Sequence, residues 1–371
     1  MREAWHTNNK KTYIIPQDLT KEEIENHKQI AKKGTFLCPY CKAKLYVKSG
    51  EIHGNYFSHL HSESCEESKK SDARHSQYEK QKKSDSSRHP QILAMMFDEL
   101  DVLSKVYPHL SNSYGYLNPE FTKFIPDISL KINEHIYAIT IVTNITSLTD
   151  ATKAKNIEKQ REYYTALGYD PLFFIERSNL GIDIDKQSLV LWASEKEALT
   201  IQNADENWMS FLSNLAPVNE LQEVLNLPYT DLNVKSIMYI TPADQEIAIE
   251  AFHVVEHPNT SPVKVHFLSK PYKLNFSQAF KLANDILTLA NLQIELENQS
   301  KYSEKFRQAK HIYQEEQKEK EQQVKIDTEH KRKSAEEKSR IYREGFKNNT
   351  YNTLDKENKV DRLKKMFNSN K

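Results

Sequence analysis

Apolar positions in this chain follow a helical period, then a strand period, and then thin out almost completely. KTYIIP reads as a short strand, and the residues from Lys21 to Lys33 read as a helix that Gly34 can end as a C-cap. Phe36 to Cys65 form a cysteine-containing unit. Glu66 to Ser87 is polar, charged and almost free of aliphatic residues, the pattern of a linker or of a lysine-rich helix start. From His89 a helix is predicted, with Ile92, Leu93, Met96, Phe97 and Leu100 at helical spacing and Pro90 in its first turn. FIPDISLKI and HIYAITIVTN follow as strands. A helix from about Thr149 to Leu167 comes next, ended by the Gly168 to Pro171 break, and then PLFFIE and SLVLWA read as two more strands.

The order helix, strand, strand, helix, strand, strand predicts an α/β (α+β) sandwich in which PLFFIE joins in parallel through the helical crossover. Beyond Trp208, the runs SIMYIT, IAIEAFHVV and VKVHFL predict a small antiparallel sheet of their own, with Pro242, Pro258 and Pro262 in its connections. From Asn275 to Glu344 there is neither Gly nor Pro, which predicts one long helix. Its apolar residues, Phe280, Leu282, Ile286, Leu289, Leu292 and Ile294, stop sustaining a pattern after Phe306. The far half then reads as an exposed helix or a partner-dependent coiled coil. The expected units are 1–68, 69–200, 201–274 and 275–371.

Composition changes this picture in three ways. The chain has 371 residues with 52 basic and 52 acidic side chains, so the formal charge is zero. The balance hides an asymmetry: residues 301–371 carry 20 bases against 13 acids, residues 201–300 carry 12 acids against 5 bases, and 69–90 hold seven bases against three acids. With 7 glycines in the chain and no GxGxxG or GxxxxGK[ST] string, Gly-rich phosphate loops are excluded. No run of 18 apolar residues and no apolar leader is present, so the expectation is a cytoplasmic protein without a membrane contact.

Three cysteines fall within 28 residues, an odd number that makes a poor disulfide framework. Cys38 and Cys41, in CPYC, can turn both thiolates toward one cation, and Zn²⁺ accepts sulfur and imidazole donors tetrahedrally. His59 and Cys65 complete the expected set, with His61 able to replace either. Between the pairs, KLYVK and NYFSH alternate as two strands with Ser49 and Gly50 near the turn, the hairpin of a zinc ribbon. Four filled positions imply a structural zinc site without a catalytic water.

These residues, taken in order, resemble the competence protein CoiA family. The resemblance runs from about Tyr13 to Trp192 and rests on the CPxC knuckle, the Gly in the turn, the FxH pair, the further Cys, a His at a helix start, a Pro-Asp strand and a Tyr-x-x-x-Gly helix end. It implies a zinc ribbon fused to a PD-(D/E)xK restriction-endonuclease-like domain and a role in handling incoming DNA. Cys38, Cys41, His59 and Cys65 match the ribbon, although Tyr56 stands where many members have a histidine. Pro126 and Asp127 match the PD, Tyr164 and Gly168 the helix end, and His89 or His75 the histidine.

A Mg²⁺ ion in such a site needs carboxylates from two adjacent strands and a nearby Lys or Gln. Asp127 is placed to be the first, but AITIVTN puts Thr140 and Val142 where the second carboxylate and the Lys or Gln should stand. Neither grips a cation or activates water, so Mg²⁺ enters only if Glu120, Glu134 or another acid supplies the missing ligand. The first functional expectation is therefore a catalytically degenerate, nucleic-acid-associated protein acting in DNA uptake or in defence against foreign DNA. Lys69, Lys70, Arg74, Lys80, Lys82, Lys83 and Arg88 would contact phosphates around Tyr78. Lys153, Lys155, Lys159 and Arg161 form a further basic set, read as a solvated helix face. The alternatives are an active Mg²⁺-dependent nuclease built on Asp127, and a scaffold that binds a protein partner or a second copy through residues 276–344.

Overall fold

The computed structural model describes residues 1–51, 54–60, 64–177, 181–225, 227, 232–243, 246–257, 260, 262–283, 286–347 and 358–365. The chain divides into two units, residues 1–222 with 227–303, and residues 223–226 with 304–371.

The first unit opens with β1 (Glu3–His6), β2 (Lys11–Ile14), α1 (Lys21–Lys32) and β3 (Phe36–Leu37), the three strands pairing in the order β2-β1-β3. Thr20 and Glu23 close a reciprocal cap on α1, worth about 1 kcal/mol, and Gly34 takes the positive φ that ends it. β4 (Leu45–Gly50) and β5 (Gly54–His59) form the expected hairpin, with Leu45 opposite His59 and Gly50 opposite Gly54. Met1, Ala4, Ile15, Phe36, Leu45, Val47 and Phe57 make a small core beneath both sheets.

The stretch read as a linker or helix start is a 17-residue helix, α2 (Glu66–Lys82), followed by α3 (His89–Val106). The main sheet then begins with β6 (Leu110–Tyr114), β7 (Ile128–Ile132) and β8 (His135–Val142), an antiparallel meander. α4 (Asp150–Ala166) crosses over to β9 (Asp170–Glu176), which lies parallel to β8 as the sequence pattern predicts. β10 (Gly181–Asp183), β11 (Ser188–Leu191), α5 (Ala193–Glu197), α6 (Asn203–Leu215) and α7 (Val218–Leu225) follow.

The strands expected to form a separate sheet do not do so. β12 (Lys235–Ala243) pairs in parallel with β9, and β13 (Glu246–Glu256), β14 (Val263–Phe267) and β15 (Tyr272–Asn275) extend the same sheet. Its main path runs β10-β11-β14-β13-β12-β9-β8-β7-β6. The reason is legible in β12, where Ile237, Met238, Tyr239 and Ile240 are all buried. A strand apolar on both faces belongs in a sheet interior. Successive residues feed opposite layers: Leu172 and Phe174 join the α3 side of the core, while Phe173 and Ile175 join the other.

The long helix also starts later than predicted. Phe276–Ala279 form a single short turn of helix (α8), and β16 (Leu282–Ala283) and β17 (Ile286–Leu287) pair with each other. Only then does α9 (Leu292–Lys347) begin. Phe276, Phe280, Leu287 and Leu289 are core residues, and a straight helix could not deliver them all to one apolar layer.

In the second unit, the distal part of α9 is an exposed, charged helix. Glu329–Lys333, Arg332–Glu336 and Glu337–Arg340 pairs run along its own surface, each worth a few tenths of a kcal/mol. Among the described residues, no helix is long and apolar enough to cross a membrane.

Candidate metal centre and buried charge cluster

Cys38 and Cys41 sit on the turn after β3, His59 ends β5, and Cys65 is the N-cap of α2. Their ligand atoms lie within 4.8 Å of one another. Cys38 Sγ is 3.8 Å from Cys65 Sγ, and Cys41 Sγ is 3.3 Å from His59 Nε2. Zn–S bonds of about 2.3 Å and Zn–N bonds of about 2.0 Å at tetrahedral angles put sulfurs about 3.8 Å apart and sulfur and nitrogen about 3.5 Å apart. A disulfide would need about 2.0 Å. The four side chains therefore fit a tetrahedral Zn²⁺ with every position filled by protein. Burial pushes the Cys38 thiol up to about 12. Burial also acts to raise Cys65, but the Ser68 hydroxyl and amide and the neighbouring thiols outweigh it and lower its value. His61, the alternative ligand, lies outside the described residues.

The second cluster surrounds Asp127, which precedes β7 and is fully buried. Gly115 makes that corner possible, because a Cβ there would meet the Pro126 carbonyl oxygen at 2.0 Å. Both carboxylate oxygens of Asp127 are engaged. Oδ1 accepts from Tyr78 O–H at 2.6 Å and lies 2.9 Å from His89 Nε2. Oδ2 accepts from the Ile141 amide at 2.7 Å and from Lys82 Nζ at 2.7 Å. Burial pushes this carboxyl up, but the Lys82 ammonium and His89 outweigh it and hold it well below the usual carboxylate range. The same neighbourhood drives Tyr78 well above its ordinary value, by burial first and by Asp127 second.

A second acid reaches the cluster from the α2–α3 connection. Asp85 Oδ2 is 3.6 Å from Lys82 Nζ and 3.8 Å from His89 Nε2, while its Oδ1 accepts from Lys153 Nζ at 2.7 Å. Asp127, Lys82, Asp85 and Lys153 thus alternate in sign as a chain whose two ends, Asp127 and Lys153, are buried. Thr140 and Val142 are both buried and bring no carboxylate or amine to it. Glu120 instead accepts from Tyr169, and Glu134 is exposed in the β7–β8 turn, so neither completes a site at Asp127.

This arrangement redistributes the basic residues that the sequence grouped together. Arg74 is buried and donates to the Tyr116 carbonyl, and Lys82 is turned inward to Asp127. Lys69, Lys70 and Arg88 are exposed but paired with Glu66, Glu67 and Glu176. Lys80 and Lys83 are exposed with no acidic partner among the described residues. On α4, Lys155 and Lys159 face solvent, whereas Lys153 is buried and Arg161 is spent on the Glu197 and Leu199 carbonyls. Sequence reasoning missed Tyr78, Lys82 and His89 as partners of Asp127, and Asp85 and Lys153 as the charges beyond them. The i, i+4 spacings Tyr78–Lys82 and Asp85–His89 were the available signal.

A third buried set joins α6, β12, β13 and the first turns of α9. His253 Nδ1 is 2.7 Å from Asp205 Oδ1, its Nε2 is 3.3 Å from Glu295 Oε1, and Trp208 donates to Glu295 at 2.6 Å. Burial acts to lower His253, but hydrogen bonds to Asp205 and Glu295 overcome it and raise it to about 10. Ser236 Oγ also addresses Nδ1, at 3.1 Å. Serine and aspartate on the same imidazole nitrogen cannot relay a proton through the ring, so this is no hydrolase triad.

Neither the curated proteins nor the solved structures provide a match to this chain. The family models do: residues 16–68, which contain all four candidate zinc ligands and the β4–β5 hairpin, match the competence protein CoiA N-terminal domain.

Proposed function

We propose that this chain is a CoiA-like, nucleic-acid-associated protein with a structural zinc site and a nuclease-like core that is catalytically silent. The order α3-β6-β7-β8-α4-β9, with Asp127 leading β7, supports the nuclease-like assignment. The observation that carries silence is the occupation of Asp127: both oxygens are taken by protein donors, one of them an ammonium. Two carboxylates balanced by Lys82 and Lys153 leave no net negative charge to repay a Mg²⁺ ion for its lost water. The CoiA N-terminal match supports a role in competence, where the partner molecule is incoming DNA. Exposed Lys80 and Lys83, with Lys69, Lys70 and Arg88, supply the phosphate contacts.

The test is binding of labelled DNA by the full-length, zinc-loaded chain between about 50 and 200 mM salt, with and without Mg²⁺. Binding should weaken with salt, and Lys80→Glu with Lys83→Glu should lower the slope of log K on log salt by about 2. No strand should be cut. Binding that ignores salt, or no binding at all, overturns the nucleic-acid part.

One observation favours a second reading. Asp85 approaches the same point as Asp127, so a metal-dependent nuclease that uses both acids is the competing case. Cleavage by the native chain that Asp127→Asn and Asp85→Asn each abolish would establish it.

A further inference from the structure

Three oxygens from three separate segments converge on Lys82 Nζ. Asp127 Oδ2 lies at 2.7 Å, the Ile141 carbonyl on β8 at 3.3 Å, and Asp85 Oδ2 at 3.6 Å. Two carboxylates and a main-chain carbonyl are hard oxygen donors, the set that Mg²⁺ and Mn²⁺ prefer. The Lys82 side chain also borders a cavity of about 50 Å³ lined in part by Asp85, Thr140, Ile141, Lys153 and Gln160. That space admits water, which a divalent ion needs to complete its shell.

We propose that the Lys82 ammonium occupies the seat of a divalent cation, and that Asp127, Asp85 and the Ile141 carbonyl bind Mn²⁺ or Mg²⁺ when Lys82 is removed. The lysine delivers one positive charge and hydrogen-bond donors to oxygens that would otherwise ligate a metal. It is tethered on α2, one turn beyond Tyr78, which grips the other oxygen of the same carboxylate. Because the tether makes its local concentration far higher than that of any free ion, the seat stays closed to metal. Without Lys82, Asp85 keeps Lys153 and both carboxylates keep His89, the local charge falls by one, and the vacated volume joins the cavity. The oxygens must then close to about 2.0–2.1 Å from Mg²⁺. Asp85, on the short connection between α2 and α3, is the group that has farthest to travel.

This inference rests on the reading of the core as catalytically silent and names what silences it. It is tested with Mn²⁺ alone, by electron paramagnetic resonance titration of the full-length, zinc-loaded chain. The native chain should show no Mn²⁺ that Asp127→Asn removes. Lys82→Ala should bind one Mn²⁺ per chain, at least tenfold tighter than the native protein. Asp127→Asn in the Lys82→Ala background should abolish that binding, and Asp85→Asn should weaken it about tenfold or more. Lys82→Arg, which keeps a cation in place, should bind none, and Lys155→Ala, on the solvent face of α4, should bind Mn²⁺ no better than the native chain.

Lys82→Gln provides a second neutral variant if Lys82→Ala does not fold. A folded neutral variant that binds no Mn²⁺ overturns the proposal. So does native binding that depends on Asp127, a result that stands even if neither neutral variant folds. Failure of DNA binding would sink the nucleic-acid part of the reading and leave these outcomes unchanged.

Discussion

The contact between Lys82 and Asp127 can be weighed by a double-mutant cycle of Lys82→Met and Asp127→Asn. At 2.7 Å the bare attraction is about 6 kcal/mol at an effective dielectric of about 20. Dehydration of two charges, one on a fully buried side chain and one on a side chain 13% exposed, offsets much of it. Lys82→Met alone leaves the Asp127 carboxylate held by Tyr78, His89 and the Ile141 amide but without its counter-charge, at a cost of about 3–5 kcal/mol. Asp127→Asn alone leaves Lys82 with Asp85 at 3.6 Å and sets an amide donor toward the Ile141 N–H, at a similar cost. The double variant has no unpaired charge at this pair and retains only the mismatch at Ile141, about 1–3 kcal/mol. The coupling should therefore be no smaller than about 3 kcal/mol, read from urea unfolding followed by far-ultraviolet circular dichroism at about pH 7. A coupling below about 0.5 kcal/mol would mean that Lys82 points to solvent, and the argument for an occupied cation seat would fall with it.

Three further perturbations address other parts of the chain. Purified protein should carry one zinc by elemental analysis; Cys41→Ser should lose it and expose residues 16–68 to proteolysis while the main sheet stays intact, and retention of a full zinc equivalent would remove Cys41 from the ligand set. Glu195 is buried and its carboxyl is raised to about 6, so the folded chain binds more protons than the unfolded one between about pH 4 and 6, and stability falls as pH rises through that window. Glu195→Gln should accordingly stabilise the fold by about 2 kcal/mol above pH 6 and by nothing below about pH 4, as measured by unfolding at a series of pH values. Gly115→Ala should cost about 1–3 kcal/mol in unfolding measurements, since its methyl would overlap the Pro126 carbonyl and push Asp127 off β8; unchanged stability would show that this corner yields freely.

Much of the fold could be read from local pattern, because the decisive elements have strong periods. α3, the β7 and β8 strands, α4 and β9 all appear where apolar spacing puts them, and the side chains that cluster as candidate metal ligands are marked by CPYC and the later His and Cys. What escaped the sequence depends on contacts between distant residues. β12 reads equally well as the start of a new sheet or as an interior strand of an existing one, and only its pairing with β9 decides. Phe276 to Leu289 have helix-compatible composition, yet the core takes them in as a turn and a short hairpin. The Asp127 cluster is harder still. Tyr78, Lys82 and His89 stand 49, 45 and 38 residues from Asp127, and a lysine in a basic segment looks like a phosphate contact until its partner is known.

The two buried ionic clusters of the first unit show why charge balance alone does not mark a functional site. In one, His253 is enclosed by Asp205 and Glu295, the Gln202 amide and the Trp208 indole satisfy the remaining oxygens, and none of the three ionisable side chains is more than 6% exposed. Its raised imidazole value keeps it cationic at neutral pH, so it acts as a fixed tie between α6, β13 and the first turns of α9. In the other, the alternating chain of Asp127, Lys82, Asp85 and Lys153 borders open volume at Lys82, Asp85 and Lys153. A sealed cluster can only hold elements together, whereas one that borders a cavity can exchange a member for something from solvent. The member placed to be exchanged is the one with the flexible stem, Lys82, and the oxygens it would leave behind already surround one point and need only close on a cation of higher charge.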